Sequence, residues 1–193
     1  MTTTYFPQHM SIAERQSLLA DRWVEVVAKV PAGAPGPATV VDPLATLEPD
    51  FIQHVKKLVV KLELPPLSEI SSTALDSLPG SSGYKLVEHI VNEIDKFPAV
   101  THMDVVLSMP HTVSKGLHDL QLSYALPFYK LSFTRWVFKY QFPETRPQLV
   151  PRDDLNRLDE LQNMALKREQ DGEDKLANAT LTRKSDVKPQ LMR

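Results

Sequence analysis

The sequence predicts a mostly α-helical protein: five or six helices in an irregular bundle, with proline-rich extended arms and a polar C-terminal tail. Three observations predict it. Apolar residues recur at three- and four-residue spacing in several segments, which is the helical period. Most of these segments run into a proline, and 16 of the 193 residues are proline, so helices are repeatedly stopped. An alternating apolar–polar pattern, the mark of a half-buried strand, is almost absent.

The first helix is signalled at both ends. Ser11-Ile-Ala-Glu14 forms a capping box, in which the serine oxygen accepts from the third helical N–H and the glutamate reaches back. Ile12, Leu19, Trp23, Val26, Val27 and Val30 follow at helical spacing, and Pro31 stops the run. Residues 1–30 are therefore expected to be an N-terminal helix. Residues 31–49 hold five prolines and two glycines, a linker or extended arm. A second helix is expected from Pro49 to Leu64, with Phe51, Val55, Leu58 and Leu62 on one face and Pro65-Pro66 at its end.

Residues 67–83 are serine-rich and close with Pro79-Gly-Ser-Ser-Gly83, a turn signal, with a short helical turn near Thr73–Leu78. A third helix, Tyr84 to Phe97, puts Val87, Ile90, Val91 and Ile94 on one stripe before Pro98. Residues 101–109 admit two readings, a helix capped near Thr101 or a short buried strand at Val105-Val106-Leu107. A fourth helix from Thr112 to Leu126 carries Val113, Leu117, Leu120 and Tyr124, and Pro127 terminates it. Pro143, Pro147 and Pro151 make the following stretch an extended arm. The last helix begins near Asp153-Asp154, anions suited to a helix N-terminus. It carries Leu155, Leu158, Leu161 and Ala165 and closes before Gly172. Residues 173–193 read as a polar tail. The organisation is thus an N-terminal helix (1–30), a linker (31–49), a helical core (50–142), and an extended segment, C-terminal helix and tail (143–193). No internal repeat is evident.

Composition narrows the chemistry. Lys and Arg total 22 against 24 Asp and Glu, a net charge of −2. That argues against a strongly basic nucleic-acid binder. The chain has no cysteine, which excludes disulfides, thiolate metal sites and thiol catalysis. No apolar run approaches the roughly 20 residues of a membrane span. The first lysine or arginine is Arg15, so neither a secretory signal nor an arginine-rich presequence is seen. An intracellular location is expected.

The candidate chemical motifs are weak. Among six histidines, His89 and Glu93 lie one helical turn apart, and His111 and His118 could share a face. No third ligand joins either pair, and there is no His-Glu-x-x-His. Gly80-Ser-Ser-Gly83 has two residues between its glycines, whereas a phosphate loop needs four and a following Lys-Ser/Thr pair. It reads as a helix-entry turn. Asn178-Ala-Thr180 matches a glycosylation acceptor but has no secretory context. No catalytic residue, metal ligand or cofactor is assigned.

The most informative segment is Phe128 to Phe142. It contains seven of the 14 aromatic residues and no anion, while Lys130, Arg135 and Lys139 make it cationic. As a helix, Tyr129, Phe133, Trp136, Val137 and Tyr140 share a face. As a strand, Tyr129, Leu131, Phe133, Arg135 and Val137 alternate. In both readings aromatic groups fall on more than one face, and a core accepts only one. Tyr129, Lys130, Phe133, Arg135, Trp136, Lys139 and Tyr140 are the expected partner-binding residues, with Trp136 and Arg135 as anchors. An acidic protein surface suits them best, then anionic lipid head groups; nucleic acid fits poorly.

The expected role is a non-catalytic accessory subunit of a large multiprotein assembly, with mitochondrial energy-converting complexes as the favoured setting. The alternatives are an enzyme with a site of scattered His, Asp and Lys residues, and a peripheral membrane or RNA adaptor using residues 128–142.

Overall fold

A computed structural model describes residues 10–32, 44, 49–70, 74–110, 118–132 and 136–185, with backbone alone at 49–51 and 172–185. It corrects the expected fold class: the chain is an α/β protein built on a five-stranded mixed sheet, and not a helical bundle. The strands are β1 (Trp23–Lys29), β2 (Lys57–Glu63), β3 (His102–Ser108), β4 (Trp136–Gln141) and β5 (Gln148–Leu149). They lie in sequence order across the sheet. The first four are parallel, and β5 is antiparallel to β4.

The first helix, α1 (Ile12–Asp21), starts at Ser11 with the capping box formed as expected. It ends at Arg22, and Trp23 to Lys29 form a strand. The same residues satisfy both periods. Trp23, Val26, Val27 and Val30 have helical spacing, while Val24, Val26, Ala28 and Val30 have strand spacing. Three valines in one seven-residue strand favour the extended form, because a branched Cβ is stiff in a helix and packs well on a pleated surface. The expected second helix divides in the same way. Only α2 (Pro49–His54) is helical, and Lys57–Glu63 enter the sheet with Leu58, Val60 and Leu62 fully buried. The two-way reading at 101–109 resolves to β3.

The helical elements after β2 are α3 (Leu67–Ile70), a 3₁₀ helix (Leu75–Gly80) and α4 (Ser82–Ile94). The last matches the expected third helix. Its N-cap is Ser81, whose oxygen accepts from the Tyr84 N–H. Val87, Ile90, Val91 and Ile94 form its buried stripe. The expected fourth helix shrinks to α5 (Asp119–Leu122), followed by a 3₁₀ helix, Ser123–Lys130, that contains Pro127. Residues 112–117 of that expectation lie outside the described residues. The final helix, α6, runs Arg152–Ser185, past Gly172 and into the expected tail. One interior glycine costs a helix only about 1 kcal/mol, and the flanking Glu, Lys, Ala and Leu residues propagate it. The expected extended arm at 143–151 instead turns back onto its own domain: Gln148–Leu149 pair with β4, and Val150 is buried.

The strands share one ending. Ala28-Lys-Val-Pro31, Leu62-Glu-Leu-Pro65, Leu107-Ser-Met-Pro110 and Tyr140-Gln-Phe-Pro143 are all apolar–polar–apolar–proline. The register stacks them: Ala28, Leu62, Leu107 and Tyr140 form one row across the sheet. The ladder continues one residue further, with the N–H groups of Val30, Leu64 and Met109 donating to Glu63, Ser108 and Gln141. The next residue in each strand is a proline, which has no N–H to donate. A short repeat therefore exists, contrary to the sequence reading. It escaped notice because crossovers of unequal length separate its copies.

In a parallel sheet whose strands follow one another in order, right-handed crossovers all fall on the same face. The core agrees. It combines Val87, Ile90, Val91 and Ile94 of α4, Leu120 and Leu122 of α5, and Leu158 and Leu161 of α6 with alternate strand residues only. From the strands come Val26, Ala28, Leu58, Val60, Leu62, Met103, Val105, Leu107 and Phe138. The intervening residues of every strand point the other way.

Candidate functional site

The second face of the sheet is lined by those intervening residues, and the register sets them in rows. Glu25, Val59, Asp104 and Val137 make one row; Val27, Lys61, Val106, Lys139 and Leu149 make the next; Lys29, Glu63, Ser108 and Gln141 make a third. Val27, Val59, Val106 and Val137 form an apolar band across four strands. None of the four belongs to the core cluster. Val106, at its centre, is only 2% exposed and stands outside the core cluster. Towards the rim, Val137 is 44% and Leu149 66% exposed.

Two lysines of this face are held in place. Lys139 donates to Asp104 across the β3–β4 pair, and both are half-buried. Charges removed from water are tolerated when paired in this way. Lys57 donates to the Asp21 carbonyl at 3.1 Å, which ties the start of β2 to the end of α1. The result is a mixed surface: apolar in the middle, with both charge signs around it.

The expected partner-binding residues are not brought onto one surface. Phe133 and Arg135 lie outside the described residues. Trp136 is on the helix-facing side, in the row of Val24, Leu58 and Met103. It packs against Phe128, Tyr129 and Phe138 at ring separations of 6.2, 5.6 and 6.3 Å. Tyr140 is on the same side and touches Phe142 at 5.1 Å. Tyr129 donates its hydroxyl to Asp159 of α6 at 2.6 Å, and Lys130 pairs with Glu88 of α4 at 3.1 Å. Burial, followed by the Asp159 carboxylate, pushes the Tyr129 hydroxyl well above the ordinary tyrosine range. Lys139 alone of the described set reaches the open face.

Two other places were candidates for chemistry. A cleft with an empty volume of about 350 Å³ lies between the first 3₁₀ helix, the second and α6, lined by Leu75, Leu78, Tyr84, Leu126, Leu161 and Met164 among others. Arg168 at the cleft pairs with Asp76 at 2.5 Å. Burial pushes the Tyr84 hydroxyl up to about 12, so it stays protonated at neutral pH and is no base there. As for metals, no three His, Asp or Glu side chains converge among the described residues. Glu93, paired with His89 in the sequence reading, bonds Lys96 at 2.6 Å. His118 caps α5, its Nδ1 accepting from the Leu120 N–H. His111 lies outside the described residues.

Sequence reasoning missed the open-face residues because it assigned β1 and β2 to helices. The repeated apolar–polar–apolar–proline ending was the signal that could have found them. Among the described residues, no helix is long and apolar enough to cross a membrane. Compared with protein-family models, with curated proteins and with solved structures, the chain matches none.

Proposed function

We propose that the chain is a non-catalytic accessory subunit that docks onto a protein partner through the open face of its sheet. One observation carries this reading: among the described residues, helices pack on one face of a four-stranded parallel sheet, while the other face shows a valine band outside the core. Parallel sheets occur almost entirely with both faces covered. An apolar patch rimmed by polar groups is the usual composition of a docking surface. The partner that fits is a protein surface that is mainly apolar, with an acidic group to meet Lys61 and a basic group to meet Glu25.

The test is the native size of the tagged chain in extract, with Val137→Asp beside the wild type. Val137 is already half in water, so the substitution spares the core. The wild type should run in an assembly larger than two copies of the chain, and Val137→Asp should release it. A wild type that runs free at its own mass would sink the proposal.

A further inference from the structure

We infer that β1 is a dimerisation edge: two copies of the chain pair their β1 strands antiparallel about a two-fold axis at Val27, joining two sheets into one. The inference goes beyond the docking proposal, because it uses the strand edge and not the open face.

The two edges of the sheet differ. β5 has two residues, preceded by Pro147 and followed at one remove by Pro151, so that edge is blunted in the way proteins protect edges from pairing. β1 has seven residues, pairs one-to-one with β2 without a bulge, and contains no proline. Its two charges, Glu25 and Lys29, lie on the open face and leave the core side apolar. Among the described residues, no proline, bulge or covering element protects this edge. Among the described residues no strand pairs with its outer edge. The described neighbours of β1 lie elsewhere: α1 packs on α2, at the end where the strands begin, and Leu44 joins the core on the helix side.

Hydrogen-bond parity fixes which residues face outward. The Val30 N–H donates to Glu63 of β2. In a parallel ladder alternate residues direct both backbone groups to the same neighbour. Residues 24, 26, 28 and 30 therefore face β2, and Trp23, Glu25, Val27 and Lys29 offer their N–H and C=O groups to the free edge.

The sequence of that edge complements itself in one register. With Val27 opposite Val27 of the second copy, Glu25 faces Lys29 and Lys29 faces Glu25, each as a backbone-bonded pair. Trp23, 49% exposed, lies opposite Pro31, whose missing N–H closes the ladder. On the core side Val26 meets Ala28 and Val24 meets Val30. Opposite charges directly across an antiparallel pair are favourable, and like charges there are not. Moving the register by two residues sets Glu25 against Val27 or Pro31 and loses both ion pairs. A shift by one turns the charges onto the core side. An isologous contact of this kind closes at two copies.

The experiment is the mass of the purified full-length chain in solution, by light scattering or sedimentation, at low salt and micromolar concentration. The wild type should have twice the 21.8 kDa of one chain. Glu25→Lys alone and Lys29→Glu alone should each raise the dimer dissociation constant by about tenfold or more, because two attractive pairs become repulsive. Mixing the two single variants should restore a dimer, now of unlike chains. In it the lysine introduced at position 25 faces the glutamate introduced at position 29, and the native Lys29 of one chain faces the native Glu25 of the other. Both sites are exposed, and circular dichroism checks that the variants remain folded. Val137→Asp should leave the dimer intact, so the docking proposal and this one fail separately. A monomeric wild type overturns the inference. A dimer that survives both single variants, or singles that fail to recombine, overturns it as well.

Discussion

Gly83 sits where the start of α4 passes close to the residues that follow β1. A Cβ there would lie 2.8 Å from the Pro31 carbonyl oxygen, 2.8 Å from Val30 Cγ1 and 3.3 Å from the Tyr124 ring. The Pro31 oxygen is backbone and cannot swing aside. Gly83→Ala should therefore destabilise the fold by about 1–3 kcal/mol, the range for overpacking, although alanine is the better helix former. Gly80 is the control: a Cβ there meets nothing within 4 Å. Gly80→Ala should stay within about 0.5 kcal/mol of wild type. Urea unfolding of the two variants side by side checks both. The sequence reading placed a turn and helix entry here, and that was legible because Gly and Ser preferences are local. The tight contact was not legible, since Pro31 and Tyr124 are distant in the chain.

At the scale of elements, the aromatic segment holds layers together. Trp136 wedges between Phe128 and Tyr129 of the 3₁₀ helix and Phe138 of its own strand. Trp136→Ala should cost about 3 kcal/mol of folding stability, the low end for losing a large aromatic, because the ring is only part-buried. A denaturant titration of the isolated chain reads this directly; a loss of assembly with folding stability unchanged would contradict it. The aromatics of this segment fell on two faces in both sequence readings because they serve two layers. Phe128 and Trp136 fill the interior, while Tyr129 reaches Asp159 and helps fasten α6. Element type was hardest to read where valine and leucine satisfied both periods, as in β1 and β2. Parallel pairing is non-local, so no neighbour in sequence reports it.

At the scale of the molecule, α6 is bound to the body by Leu158 and Leu161 and by ion pairs that depend on pH. The Arg157 guanidinium hydrogen-bonds both Asp119 carboxylate oxygens, at 2.9 and 2.6 Å, and holds that carboxyl below its ordinary value of 3.8. Backbone and side-chain bonds from Ser132 lower Asp95 in the same direction. Carboxyls lowered by folding add stability that is complete above their unfolded values and is lost as pH falls through the folded ones. The thermal midpoint should accordingly drop as the pH is taken from about 5 to about 2. Asp119→Asn should remove no more than about 1 kcal/mol at neutral pH, since the pair is more than a third exposed and screened by water. The difference between variant and wild type should vanish at the acid end. Thermal melts across that range test it, and a gap that persists at low pH would contradict the assignment.

The amino-acid sequence by itself determined the local punctuation of this protein. The Ser11 capping box, the amphipathic stripe of α4, the acidic start of α6 and the prolines at 31, 65, 110 and 143 all act through atoms a few residues apart. Tertiary structure alone decided whether the apolar runs ending at those prolines became helix or strand. A segment such as 57–64 can bury its leucines with either period, and the parallel partners that select the strand come from distant parts of the chain. The open face was settled at the same level. Val27, Val59, Val106 and Val137 are far apart in sequence, and they form one surface because the register of four strands sets them side by side.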